Sequence, residues 1–203
     1  KADNADISVF RNKLIPRKQV PIKYLPTVAL QKNSKPFNID SINLTRSQIT
    51  YTELSEKTKD TGTIFFTSLD VHSGPYTNME IGGNDSLRVH AKGNLFDKGV
   101  LNLQFHQSYL DSLAGFELAL QAELEDASVV NQVLVPITQV KISSGTLDSL
   151  WLYATGNNYT ARGEMKMLYN KLKVQVKRND NEKASFGEKL SSFIANNFLI
   201  RSH

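Results

Sequence analysis

Alternation of apolar and mostly polar residues near the C-terminal end constrains the fold of this chain more than any other feature. Ala161, Gly163, Met165, Met167 and Tyr169 occupy every second position, and Leu or Val stands at 172, 174 and 176. Successive side chains of a β-strand point to opposite faces, so the pattern predicts a sheet with one apolar and one charged face. The function therefore depends on what covers the apolar face.

Length and composition indicate a single folded domain. The chain has 203 residues, a length at which folding buries roughly 70% of the unfolded surface. Its 24 Lys and Arg are scattered and barely exceed its 20 Asp and Glu, so no nucleic-acid partner is predicted. Cysteine is absent, which excludes disulfides and thiolate metal sites. No apolar run is long enough to span a membrane.

Residues 1–36 are expected to form an irregular segment that wraps an edge of the domain. Pro16, Pro21, Pro26 and Pro36 punctuate it, and proline removes a donor from a strand ladder. A short helix is expected near residues 27–31.

Residues 37–177 are expected to form one antiparallel β-domain. Short strands are predicted from residue 37, and the strand at 63–72 is expected to carry Phe65, Leu69 and Val71 on one side. Alternating runs around residues 87–91, 101–105 and 116–124 follow, separated by turns rich in Gly, Asn and Asp. Short turns between alternating strands indicate antiparallel neighbours.

Two helices are predicted. The first lies near residues 126–137, with Asp126 or Ser128 as its cap and Pro136 at its end. The second covers residues 184–200 and is amphipathic. Its apolar stripe consists of Phe186, Leu190, Phe193, Ile194 and Phe198.

Two short helices cannot cover the apolar faces of about eight or nine strands, and monomers rarely leave such patches in water. Two solutions remain open. The sheet can fold on itself as a sandwich or closed barrel, which is the commoner outcome, or it can curl into a gutter whose lining meets lipid chains. The predicted fold class is therefore mainly β, a curved antiparallel meander sheet forming a groove or half-barrel, with two short helices.

Several short segments carry a resemblance to a known family. They are residues 39–42 (IDSI), 49–53 (ITYTE), 61–66 (TGTIFF), 142–147 (ISSGTL), 150–152 (LWL), 156–159 (GNNY), 161–165 (ARGEM) and 169–174 (YNKLKV). In order and spacing they resemble the C-terminal region of AsmA-like envelope proteins of the Bacteroidetes type, the group that includes TamB-like and YhdP-like bridge proteins.

The resemblance implies a curved sheet with a hydrophobic groove and a role in lipid transport for outer-membrane biogenesis. Members of the family are anchored in the inner membrane, extend through the periplasm and are thought to carry phospholipids toward the outer membrane. The anchor helix is not within this sequence, so the resemblance implies a longer, membrane-anchored parent protein. The implied partners are phospholipids or other acyl lipids, the membrane through other parts of the parent, and other envelope proteins.

The leading hypothesis is thus a non-enzymatic lipid-binding module whose apolar groove holds acyl chains. A lipid tail gains about 0.8 kcal/mol per buried methylene, so such a groove needs no head-group selectivity. Methionine suits a surface that accepts variable chains, although it equally fills irregular cores. The predicted groove lining is Phe65, Leu69, Leu87, Val89, Leu101, Leu103, Phe116, Leu118, Leu120, Leu150, Leu152, Met165, Met167, Leu172 and Val174.

The alternative is a scaffold or assembly domain of the envelope, with a closed apolar core and edges that bind other proteins. An enzyme is not expected, since neither a nucleophile elbow nor a Walker loop occurs, and no cofactor is predicted. His72, His90 and His106 fall on three strands and are interpreted as surface residues rather than a zinc site. Five acidic residues that lie close together in the sequence are interpreted as solvated residues near turns rather than as a calcium site. They are Asp40, Glu53, Glu56, Asp60 and Asp70.

Overall fold

The computed structural model describes residues 1–15, 24–79, 81–82 and 85–176. The predicted helix at 184–200 lies outside these residues. The described strands are β1 (Ala2–Asp3), β2 (Asp6–Asn12), β3 (Asn38–Ile39), β4 (Ile42–Leu54), β5 (Thr61–Gly74), β6 (Tyr76–Thr77), β7 (Ser86–Leu95), β8 (Gly99–Ser108), β9 (Phe116–Leu124), β10 (Val140–Gly156) and β11 (Ala161–Val176). The helices are α1 (Pro26–Gln31) and α2 (Asn131–Thr138), the latter preceded by a 3-10 turn (Ala127–Val130).

A single large sheet dominates the fold. Its order is β4-β5-β7-β8-β9-β10-β11, with antiparallel pairing throughout, and β1 and β2 both add to β4 in parallel. Strands β3 and β6 form a separate two-stranded ribbon. The sheet is not closed into a barrel, and the predicted mainly β, curved sheet is confirmed.

The N-terminal segment is more ordered than predicted. Ile7 pairs with Ile49 and Arg11 with Glu53, so β2 runs along β4 as an edge strand. The prolines do not prevent this pairing because all of them follow Asn12. The short helix expected near residues 27–31 is present as α1, with Pro26 in its first turn, where a missing N–H costs nothing.

Cross-strand register brings the alternating apolar residues together on one face. One row runs from Ala91 through Leu103, Leu120 and Leu152 to Met165. Neighbouring rows place Val89 opposite Phe105 and Leu150 opposite Met167. We call the face that carries these rows the inner face.

A bulge in β5 breaks the predicted alternation. Thr67 pairs with Asn94, but Asp70 pairs with Lys92, so β5 has one residue more than β7 between these pairs. The extra residue reverses which side chains face inward. Phe66, and not Phe65, therefore shares the inner face with Val71. Phe65 packs instead edge-on against Phe96, with ring centroids 5.3 Å apart.

Helix α2 covers one end of the inner face. Gly62 of β5 lies so close to it that a Cβ there would approach Ile137 Cγ1 to 3.1 Å. Asp126 caps the preceding turn, as predicted, by accepting the N–H of Ser128 at 2.9 Å. Pro136 lies inside the helix, although we predicted that it ends it, and the helix continues to Thr138.

Helix α1 covers the opposite end, where β8 ends and β9 begins. Gln107 is fully buried, accepts the N–H of Thr27 at 3.2 Å and donates to the carbonyl of Ala114 at 3.0 Å. Gln31 donates to the carbonyl of Tyr109. Both ends of the curved sheet are thus covered by helices, and the middle of the inner face is left between them.

Candidate apolar groove

The middle of the inner face is apolar and only half-buried. The half-buried residues are called the strip and lie on β7, β8, β9 and β11: Val89, Leu103, Phe105, Leu120, Met165 and Met167. The strip is interrupted at β10, where Leu150 and Leu152 are buried. Residues toward the helix-covered ends are buried, as Phe116 at 4% exposure and Leu101 at 7% illustrate. The residues of the strip keep partial contact with the surroundings.

Most of the predicted lining residues lie together on this face. Leu69, Leu87, Leu101, Phe116, Leu118, Leu150 and Leu152 are buried. Val89, Leu103, Leu120, Met165 and Met167 are half-buried.

Three predicted lining residues lie elsewhere. Phe65 lies on the opposite face of β5 because of the bulge. Leu172 and Val174 pack against a second cluster around Val140 and Ile142. Irregular pairing between β10 and β11 near Gly145 separates these two residues from the rows that contain Met165 and Met167.

The inner face also stays open along its β2 edge. Ile7 and Val9 pair with Ile49 and Tyr51 of β4, which continue the inner face, and they are 37% and 46% exposed. No second sheet covers this edge among the residues that the structure describes. An apolar face of this kind can take an elongated apolar ligand from the side.

The two methionines lie on β11, which pairs only with β10 in the part of the chain that the structure describes. Met165 pairs with Leu152 and Met167 with Leu150, and both are half-buried. Their unbranched thioether chains can change rotamer at little cost, so they adapt to ligands of different shape.

The outer face carries the polar and aromatic residues of the same strands. Trp151 and Tyr153 stack with ring centroids 6.1 Å apart, and Lys166 Nζ lies 5.8 Å from the Trp151 ring. Both aromatic residues lie on the face opposite to Leu150 and Leu152. The cluster covers the outer surface of β10 and makes no part of the groove.

A buried carboxylate that sequence reasoning took for a solvated turn residue lies at the end of β4. Glu53 is fully buried, with Arg11 Nη1 3.2 Å from its Oε2 and Lys13 Nζ 2.6 Å from its Oε1. The Lys13 contact is an ion pair rather than an aligned hydrogen bond. Tyr51 donates its hydroxyl to Glu53 at 2.7 Å. Burial raises the pKa of Tyr51, and this hydrogen bond raises it further.

The sequence did contain a signal for this burial. Glu53 continues the alternation of Ile49 and Tyr51 on the inner face, so it belongs to the strand and not to the following turn. The cluster of charges ties β2 to β4.

The histidines do not converge on a metal site. His72 pairs with His90, but His106 pairs with Arg88 and Glu117. Within the described ranges no group of three or more potential ligands is placed to hold a metal ion. The same part of the chain contains no helix long and apolar enough to cross a membrane.

Comparison with known proteins gives no match: no family model, curated protein or solved structure is significantly similar to this chain. The resemblance to AsmA-like proteins therefore stays a prediction that rests on the quoted segments.

Proposed function

We propose that this protein is a non-enzymatic lipid-binding and lipid-transfer module whose inner face holds acyl chains. One observation carries the proposal: half-buried apolar residues of β7, β8, β9 and β11 lie on the inner face of an open sheet, on both sides of the buried Leu150 and Leu152 of β10. A protein whose sheet served only as its own core would bury this strip.

The shape of the strip fits a flexible hydrocarbon chain better than a compact ligand. Its residues are almost all aliphatic or thioether side chains, with Phe105 stacked on Phe116 at 5.9 Å between ring centroids. Gln107, the polar side chain at its α1 end, is already occupied by Thr27 and Ala114. Binding through dispersion and burial alone is what acyl chains require.

The resemblance to AsmA-like proteins supports a role in the cell envelope. On that basis we propose a periplasmic location, as part of an inner-membrane-anchored parent, and transport of phospholipids toward the outer membrane. Other envelope proteins are proposed as further partners.

A scaffold domain is the second candidate, and the deep burial of one part of the face favours it. Leu150 and Leu152 are each 6% exposed, and Leu118 is 7% exposed. If the half-buried strip exchanges no ligand, these residues are the centre of an ordinary core, and the long edges at β2 and β11 remain for protein partners.

Photo-crosslinking from two neighbouring positions of β9 tests the proposal. Leu120 lies on the inner face between Leu103 and Leu152, and Gln121 lies on the outer face beside Trp151. A photoreactive residue at 120 is expected to capture acyl lipid, and the same residue at 121 is not. Native mass spectrometry of the unlabelled chain, followed by lipid extraction, identifies what is bound. Equal capture at both positions, or none at 120, would contradict the proposal.

A further inference from the structure

The strip on the inner face leaves apolar surface for a further partner. Its residues are half-buried, so each still offers part of its side chain. On the β2 side, Ile7 and Val9 continue the same face and are 37% and 46% exposed. Soluble proteins rarely leave apolar surface of this extent in water without a partner.

The chain itself contains a segment with a matching surface. Residues 184–200 follow β11 and lie outside the described residues. Their sequence predicts an amphipathic helix with Glu188 and Ser192 on its polar side. A helix of this length is marginal in water unless its apolar side is buried. That side carries Phe186, Leu190, Phe193, Ile194 and Phe198.

The place where β11 ends allows this segment to reach the strip. Strand β11 carries Met165 and Met167 and ends at Val176, which pairs with Val140 just after α2. Nine residues of strand, about 30 Å, separate Val176 from Met167. The seven residues 177–183 span at most about 25 Å, and a helix over 184–200 adds about 25 Å. Together they are long enough to turn back along the inner face and cover the strip.

The composition of the segment favours the strip over a membrane surface. Helices that lie on bilayers are rich in Lys and Arg on their polar side. Residues 184–200 contain one charge of each sign, Glu188 and Lys189, and otherwise mainly Ser and Asn as polar residues.

The short connection to β11 favours the same chain over a second copy. A short flexible linker gives the tethered segment an effective concentration in the millimolar range. A second copy in dilute solution is present at a far lower concentration, so the segment of the same chain occupies the strip first.

We infer that residues 184–200 dock as a helix on the strip, with Leu190 near the centre of the contact. The consequence for ligand binding rests on the proposed function: an acyl chain and the segment compete for one apolar surface, so lipid displaces the segment. Met165 and Met167 can adapt to either occupant because methionine changes shape at little cost.

Photo-crosslinking in the lipid-free 203-residue chain tests the docking. A photoreactive residue at 120 on the inner face is expected to capture a peptide from residues 184–200, and the same residue at 121 on the outer face is not. Mass spectrometry of proteolytic fragments identifies the captured peptide. A mixture of isotope-labelled and unlabelled chains shows whether both partners belong to one chain.

Substitutions within the segment provide the matched comparison. Leu190→Ser with Phe193→Ser is expected to reduce capture of the segment about tenfold or more, because two large side chains leave the contact. Glu188→Ser with Asn196→Ser, on the polar side, should change it less than about twofold. Sodium oleate is expected to reduce capture of the segment in the parent. The apolar-side variant should bind oleate about threefold or more tightly than the parent, since its competitor is lost.

Four results would overturn the inference. They are no capture of the segment at 120, equal capture at 121, equal loss of capture in the two variants, and an apolar-side variant that binds oleate no more tightly than the parent. Captured peptides that combine labelled and unlabelled chains would assign the strip to a second copy instead.

The proposed function fails separately. A parent that captures its own segment at 120 but never acyl lipid contradicts the groove and leaves the docked segment as the cover of a core. A parent that captures acyl lipid at 120 but never the segment contradicts only the docking.

Discussion

Among single residues, Glu53 has a structural role that is separate from the apolar inner face. Its carboxylate is fully buried between Arg11 and Lys13, whose side chains are 18% and 26% exposed. A charge taken out of water is tolerated only when it is paired. The pairing fixes the position of β2 on β4, and β2 has no second neighbour in the part of the chain that the structure describes.

Glu53→Gln is expected to lower the free energy of unfolding by about 2–4 kcal/mol, because two cations then face each other without a counter-charge. Because Arg11 and Lys13 are partly exposed, the loss of stability is expected near the lower end of the range for broken buried ion pairs. Urea denaturation measures it, and amide exchange should show β2 opening first. Glu56→Gln is the control, since Glu56 is exposed, and should change stability by less than about 0.5 kcal/mol. Equal losses in both variants would contradict the assigned role.

Asp126 should make the stability of the protein depend on pH in the acid range. Hydrogen bonds from the Ser128 hydroxyl and then from its backbone N–H lower the pKa of Asp126 below its usual value. A lowered folded pKa contributes stability above the unfolded value of about 3.9, and the contribution is lost as pH falls through the folded pKa.

Asp126→Ala is therefore expected to cost about 1 kcal/mol at neutral pH, most of it the lost cap because the exposed charge is screened. The difference from the parent should shrink below about pH 4 as the carboxylate protonates. Thermal melting across pH measures it. Glu125→Ala, an exposed neighbour, serves as the control, and a constant difference down to pH 2 would contradict the assignment.

At the scale of elements, α1 depends on one buried amide. Gln107 joins the N–H of Thr27 to the carbonyl of Ala114, and Thr27, Gln107 and Ala114 are all fully buried. Helix α1 has only six residues, too few to be stable alone in water. Its place at the end of the inner face therefore comes from this anchor and from Gln31, which bonds the Tyr109 carbonyl.

Gln107→Leu is expected to cost about 2–4 kcal/mol, because it leaves two buried backbone groups without partners. Amide exchange in α1 should accelerate more than exchange in β9. Gln104→Leu is the matched control, since Gln104 is exposed on the same strand. If Gln107→Leu destabilises the protein without loosening α1, the amide supports the sheet and does not anchor the helix.

The elements also indicate what sequence can predict. The meander from β7 to β9 follows from local alternation and short turns, and its pairing is regular across β7 and β8. The bulge near Ser68 was not predictable, because a positive φ at a serine leaves no mark in hydrophobic periodicity. The strand β2 had visible alternation at Ile7 and Val9, but its parallel partner lies far along the chain, and such pairings cannot be read from local turns.

For the whole molecule, the sequence predicted more apolar sheet surface than two short helices can cover, and it could not predict which part of the inner face stays half-buried. Coverage depends on where α1 and α2 dock, which depends on contacts such as those of Gly62 and Gln107. The resulting half-buried strip is what distinguishes a lipid groove from an ordinary core, and its openness can be measured with a charge.

The substitution Met167→Glu measures how open the strip is to its surroundings. In an open groove the new carboxylate keeps part of its hydration, so the fold should survive with a loss of about 1–2 kcal/mol while lipid capture at Leu120 falls sharply. In a closed core the same change would bury an unpaired charge, cost several kcal/mol and unfold a domain whose whole stability is about 5–15 kcal/mol. Leu168→Glu is the control, because Leu168 is the next residue and is 67% exposed. It should leave both melting and capture unchanged. A Met167→Glu protein that melts far below the parent, from a parent that captures no lipid, would contradict the groove and support the scaffold.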